Sequence, residues 1–100
     1  MASSSLRPEH VLEGASNFSS WKTRILTRLE EHELDHFVTS VVEEPSSNAR
    51  RATFKRNQVK ARRIIFDLVK DNMMTVLAPL KTAKECFDIL INLYEKKAPN

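Results

Sequence analysis

One glycine, Gly14, and one cysteine, Cys86, are all that 100 residues hold of either type. Sheets joined by tight hairpins need residues at positive φ, which glycine supplies at least cost, so its scarcity argues against an all-β domain. A lone cysteine cannot close an internal disulfide, which argues against a stapled secreted scaffold and fits a reducing compartment. Long apolar runs are missing as well. No stretch approaches the roughly 18 residues of a membrane span, and Met1 to Leu12 lacks the apolar core of a signal peptide. The expectation is a soluble intracellular protein with no membrane contact. The length suits one domain, burying roughly 60–70% of the surface its unfolded chain exposes, with no room for a second independent core.

What is plentiful is charge, unevenly placed. The formal net charge is +3, yet residues 1–49 carry 4 basic and 8 acidic side chains while residues 50–100 carry 12 basic and 5 acidic. Arg50, Arg51, Lys55, Arg56, Lys60, Arg62 and Arg63 fall in one segment with no acid between Glu44 and Asp67. Such density suits either a solvated helix face or a surface for nucleic acid or for another subunit.

Pro8, Pro45, Pro79 and Pro99 divide the chain into pieces that carry the helical period almost throughout. Phe18, Trp21, Ile25 and Leu29 share one face of a first helix, for which Asn17 is the expected N-cap, with Arg24, Arg28 and Glu31 outward. Leu34, Phe37, Val38 and Val41 predict a second, Leu34 to about Val42, ended by Pro45. Ser46 or Ser47 then caps a third, about Asn48 to Lys70. On it Phe54, Ala61, Ile64, Ile65 and Leu68 gather on one side and the cations on the other. Ala52, Val59 and Phe66 interrupt the basic side, either because neighbours cover this helix on two sides or because they form a stripe with a cationic rim for a partner. A short apolar helix precedes Pro79, its Met73 and Met74 filling gaps in the core. Thr82 and Glu85 form a capping box for the last helix, whose Cys86, Phe87, Ile89, Leu90, Ile91, Leu93 and Tyr94 predict burial on most sides. Lys96 and Lys97 complement its carboxyl-end dipole. The fold class is all-α, a compact bundle of about five helices.

His32-Glu33-Leu34-Asp35-His36 spells the zinc-protease pattern H-E-x-x-H, in which two histidines one turn apart hold metal. Glu31 before it and Asp35 within it put charges where such a helix is normally buried and apolar, it falls at a junction between two helices, and no third ligand is signalled. No metal site is expected. Cys86 lies mid-helix on an apolar face, where thiols are inert, and no nucleophile elbow or P-loop occurs. Neither a catalytic residue nor a cofactor is expected.

The order of landmarks resembles that of copia-type LTR-retrotransposon Gag proteins. Leu12-Glu-Gly14 followed by Asn17-Phe18-Ser-Ser-Trp21, Ile25 and Leu29 is similar to the family's N-terminal signature. Leu34 to Val38 falls at its short Leu-aromatic-x-x-Val segment, and Thr82-Ala83-Lys84-Glu85 with Phe87, Leu90 and Tyr94 resembles its Thr-Ala-Lys-Glu box. The likeness runs from about Leu12 to Lys97. Phe87 stands where the family often has Trp, and the family's second helical capsid domain and CCHC knuckle are not in this sequence. The resemblance implies the N-terminal domain of a capsid region, residues 12–97, behind a flexible segment 1–11 and ahead of a linker beginning at 98–100. It further implies self-association of the full Gag into cytoplasmic virus-like particles that package element RNA, with the isolated fragment expected either to associate or to stand as a monomer. The core signature is then Phe18, Trp21, Ile25, Leu29, Leu68, Phe87, Leu90 and Tyr94, and Val59 with Phe66 is the expected assembly stripe. The isolated fragment is expected to bind RNA weakly and without sequence preference, if the basic run meets RNA at all. Two alternatives stay open: a host-domesticated Gag-like helical adaptor, and a small basic RNA-binding module.

Overall fold

Phe18, Trp21, Ile25 and Leu29 are all buried, on the inward face of α1 (Phe18–Glu31). The computed structural model describes residues 10–95. The expected segment 1–11 and linker 98–100 therefore lie outside the described residues save for His10 and Val11, as do Lys96 and Lys97. After α1 come α2 (His36–Thr39), α3 (Asn48–Phe66), α4 (Asp71–Leu77) and α5 (Ala83–Leu90), with a 3₁₀ turn (Ala15–Asn17) before α1 and a π-helical segment (Ile91–Glu95) after α5. The all-α class holds, with no strand among the described residues.

Gly14 sits at φ 149° and ψ −154°, a region that only glycine enters cheaply. A Cβ there would lie 3.8 Å from Tyr94 Cε1, ordinary contact, so the backbone angle and not space demands glycine. Asn17 occupies the N-cap position of α1 but makes no side-chain bond to its first turn. Its Oδ1 instead accepts from the Glu13 and Gly14 amides at 2.8 and 3.4 Å, and its Nδ2 donates to the Val11 carbonyl at 3.0 Å. The asparagine closes the turn ahead of the helix.

The second helix is shorter than its apolar spacing predicts. Thr39 and Ser40 hydroxyls donate back to the Asp35 and His36 carbonyls, satisfying the end of α2, and Ser40 is already extended. Leu34, Phe37 and Val38 are buried as expected, but Val41, beyond the helix end, is 79% exposed.

Ser47 caps α3, its hydroxyl accepting from the Arg50 amide at 3.2 Å. The helix stops at Phe66, not Lys70: the Leu68 and Val69 amides turn to the Ile65 and Phe66 carbonyls three residues back and Lys70 is extended, while the Leu68 carbonyl meets two other donors. The Leu12 amide reaches it at 2.9 Å and the Trp21 indole Nε1 at 2.8 Å. The Thr82–Glu85 capping box of α5 is present as predicted. Burial of the last helix on most sides holds only in part: Cys86, Phe87 and Leu90 are buried, but Leu93 is 43% exposed, and Ile89 and Ile91 are half-buried.

α5 packs between α2 and α3, and α1 lies along α3. At the centre Trp21 stacks on Phe18 and Phe87 with centroids 5.6 and 6.5 Å apart, and Tyr94 tilts on Phe18 at 5.9 Å. Gln58 is the one buried polar side chain among the described residues; its Oε1 accepts the Ala83 amide at 2.7 Å, tying α3 to the start of α5.

Candidate functional site

The cations of α3 spread around much of the helix, and the seven do not act alike. Arg51 turns back on the preceding loop, 3.2 Å from the Glu44 carboxylate and donating to the Pro45 and Ser46 carbonyls. Arg62 donates to the Ala78 carbonyl at 3.4 Å and lies 5.3 Å over the Phe66 ring. These two side chains fasten α3 to its neighbours. Arg50, Lys55, Arg56, Lys60 and Arg63 are exposed, and no ion pair engages them among the described residues.

The expected stripe on α3 divides likewise. Phe66 is half-buried beneath Arg62 and packs against the core. Val59 is 57% exposed and Ala52 is exposed, so neighbours do not cover this helix on two sides. Val59 thus stands open between Lys55 and Arg63, one turn away in either direction.

α1 supplies a second wall that the distribution of charge along the sequence conceals. Arg28 and His32 face Lys60, Arg63 and Asp67 across a trough of about 290 Å³. A neighbouring cleft, lined by Arg24, Arg28, Glu31 and His10, shares Arg28 and Leu68 with it. Arg24 and Arg28 belong to the half of the chain with net negative charge, yet helix packing sets Arg28 across from Lys60 and Arg63, with Arg24 in the adjoining cleft.

On another side, Phe37, exposed Val41 and Val42 line a groove of about 300 Å³ with Thr82, Lys84 and Asp88. Glu43 and Glu44 follow directly in the chain. Lys84 pairs with Asp88 at 2.8 Å, so its charge is already matched. This edge is apolar and acidic where the Val59 face is apolar and basic.

The H-E-x-x-H stretch spans a break. His32 is the C-cap of α1, Glu33 takes φ 58°, and His36 begins α2, so the two histidines do not share a helical turn. No group of three or more His, Cys, Asp or Glu positioned for metal occurs among the described residues. Cys86 is fully buried, and that burial pushes its thiol pKa up against the lowering effect of nearby Arg62. No helix among the described residues is long and apolar enough to cross a membrane.

No family model, curated protein or solved structure matches this chain.

Proposed function

We propose that this chain is a structural assembly domain of the capsid N-terminal kind, of the copia-type Gag class that its landmarks resemble. The observation that carries the reading is convergence. Gly14, Phe18, Trp21, Phe87 and Tyr94, far apart in sequence, meet in one aromatic centre, with Gly14 beside the Tyr94 ring. Thr82 and Glu85 fix the start of the helix that brings Phe87 there. The residues of the resemblance thus answer to one packing requirement.

Two unpartnered apolar surfaces support association. Val59 lies among cations; Val41 lies beside Glu43 and Glu44. On the α3 wheel Val59 is about 140° from Phe54, the residue that meets Phe37 of the Val41 groove, so the two surfaces face different ways. Joined to each other they make a heterologous, head-to-tail contact, which closes into rings or propagates as a shell requires. In that role the domain works in the cytoplasm, within particles that enclose element RNA.

Sedimentation velocity tests this. Contacts of this size are weak, so wild-type protein should show concentration-dependent association only near millimolar, weakening as salt rises. Val59→Asp and Val41→Asp should each weaken it at least tenfold, about 1.4 kcal/mol, with melting unchanged because both sites are exposed. A wild-type chain that stays monomeric throughout refutes association of this chain through the Val41 and Val59 surfaces.

A further inference from the structure

We infer that the trough between α1 and α3 is a track for the phosphodiester backbone of nucleic acid, with Arg28 on one wall and Lys60 and Arg63 on the other, continued by Arg24 in the neighbouring cleft and by Arg56 one turn back along α3. The site is not the basic run that the sequence displays. It excludes Arg51 and Arg62, which are spent on the fold, and Arg50 and Lys55, which lie away from the trough, and it recruits two arginines from α1.

Three observations carry this. First, the cations are placed for a linear polyanion. Arg56, Lys60 and Arg63 follow one another at steps of four and three along about 10 Å of α3, and Arg24 and Arg28 cover a further turn of α1. Second, the arrangement disfavours the isolated protein. Arg24/Arg28 and Arg56/Lys60 are like-charged pairs one turn apart, each costing an isolated helix a few tenths of a kcal/mol, and Arg28 faces Lys60 and Arg63 across the trough. Third, the acids that line these clefts, Asp67 and Glu31, form no ion pair with these cations among the described residues. A folded-state role would have paired them. Arg28 does complement the α1 dipole from its last turn, but that role needs neither Lys60 nor Arg63 opposite it.

The chemistry sets the specificity. No Phe, Tyr or Trp lines the trough, where the imidazole of His32 is the one ring, and Phe54 and Phe66 are half-buried, so bases find no broad stacking platform. Contact is with phosphate, independent of sequence and dependent on salt. The inference holds for the single chain and does not rest on shell formation.

Fluorescence anisotropy of labelled oligouridylate, titrated with the full chain over a range of salt concentrations, tests it. Each phosphate held on a single strand contributes about −0.7 to the slope of log K against log salt. Arg28→Gln, Lys60→Gln and Arg63→Gln should each make that slope shallower by about 0.7, with unchanged far-UV circular dichroism. Arg50→Gln and Lys55→Gln remove the same charge away from the trough and should leave the slope as in wild type. Equal losses from all five variants would overturn the track in favour of diffuse attraction to net charge. So would a wild-type chain that does not bind. Loss of salt-sensitive self-association in Arg28→Gln with RNA binding intact would assign the trough instead to the acidic edge of a second copy.

Discussion

Trp21→Ala should remove a large share of the domain's stability. The indole is 1% exposed, stacks between Phe18 and Phe87, and donates to the Leu68 carbonyl at 2.8 Å. Truncating a buried tryptophan costs about 3–5 kcal/mol, against a total stability of about 5–15 kcal/mol for a domain. The loss falls where three elements meet, because the same carbonyl also holds the Leu12 amide and so docks the N-terminal loop. Trp21→Phe separates the two contributions. It keeps an aromatic ring while removing the indole donor, and should cost about 1–2 kcal/mol in urea unfolding followed by circular dichroism. An alanine variant as stable as wild type would remove the aromatic centre from the account.

Gln58→Met should cost about 1–3 kcal/mol despite conserving volume. Gln58 is 8% exposed on the core side of α3, and its Oε1 receives the Ala83 amide at 2.7 Å. That amide is among the first of α5, where a helix has no carbonyl of its own to offer. Thr82 satisfies the Glu85 amide and Glu85 satisfies that of Thr82, leaving Ala83 dependent on a different helix. Methionine fills the space but strands a buried donor. The matching measurement is amide hydrogen exchange. The Ala83 amide should lose protection in Gln58→Met more than amides in α1 do; equal loss everywhere would mean the glutamine merely fills space.

How legible this was depended on the range of the forces involved. Ser47, Thr82 and Glu85 act on backbone three residues away, and the face shared by Phe18, Trp21, Ile25 and Leu29 follows from the helical repeat, so local pattern sufficed for both. Val41 misled because apolar spacing continues past the point where Thr39 and Ser40 satisfy the carbonyls of α2. The end of α3 was hidden for a different reason: Leu68, apolar and in register with the helix, belongs to a tight turn whose carbonyl meets Trp21 and Leu12, remote in sequence. Gln58 gave no signal, since a polar residue on a charged helix reads as exposed until α5 is laid against it. Arg24 and Arg28 were obscured by counting charge along the chain, whereas packing sorts it by face. A search for like-charged pairs one turn apart on two helices would have found them.

Head-to-tail assembly through Val41 and Val59 is most directly tested by cross-linking, helped by the burial of the only native thiol, Cys86. Val41→Cys and Val59→Cys, singly and together, are treated with a short bismaleimide near the concentration at which the wild type associates. The double variant should give a ladder extending beyond the dimer. A mixture of the two single variants should stop at dimers, and each single variant alone should stay monomeric, as should the parent chain. Self-linking of Val59→Cys alone to the same extent, or a double variant that gives nothing above monomer, would contradict the account.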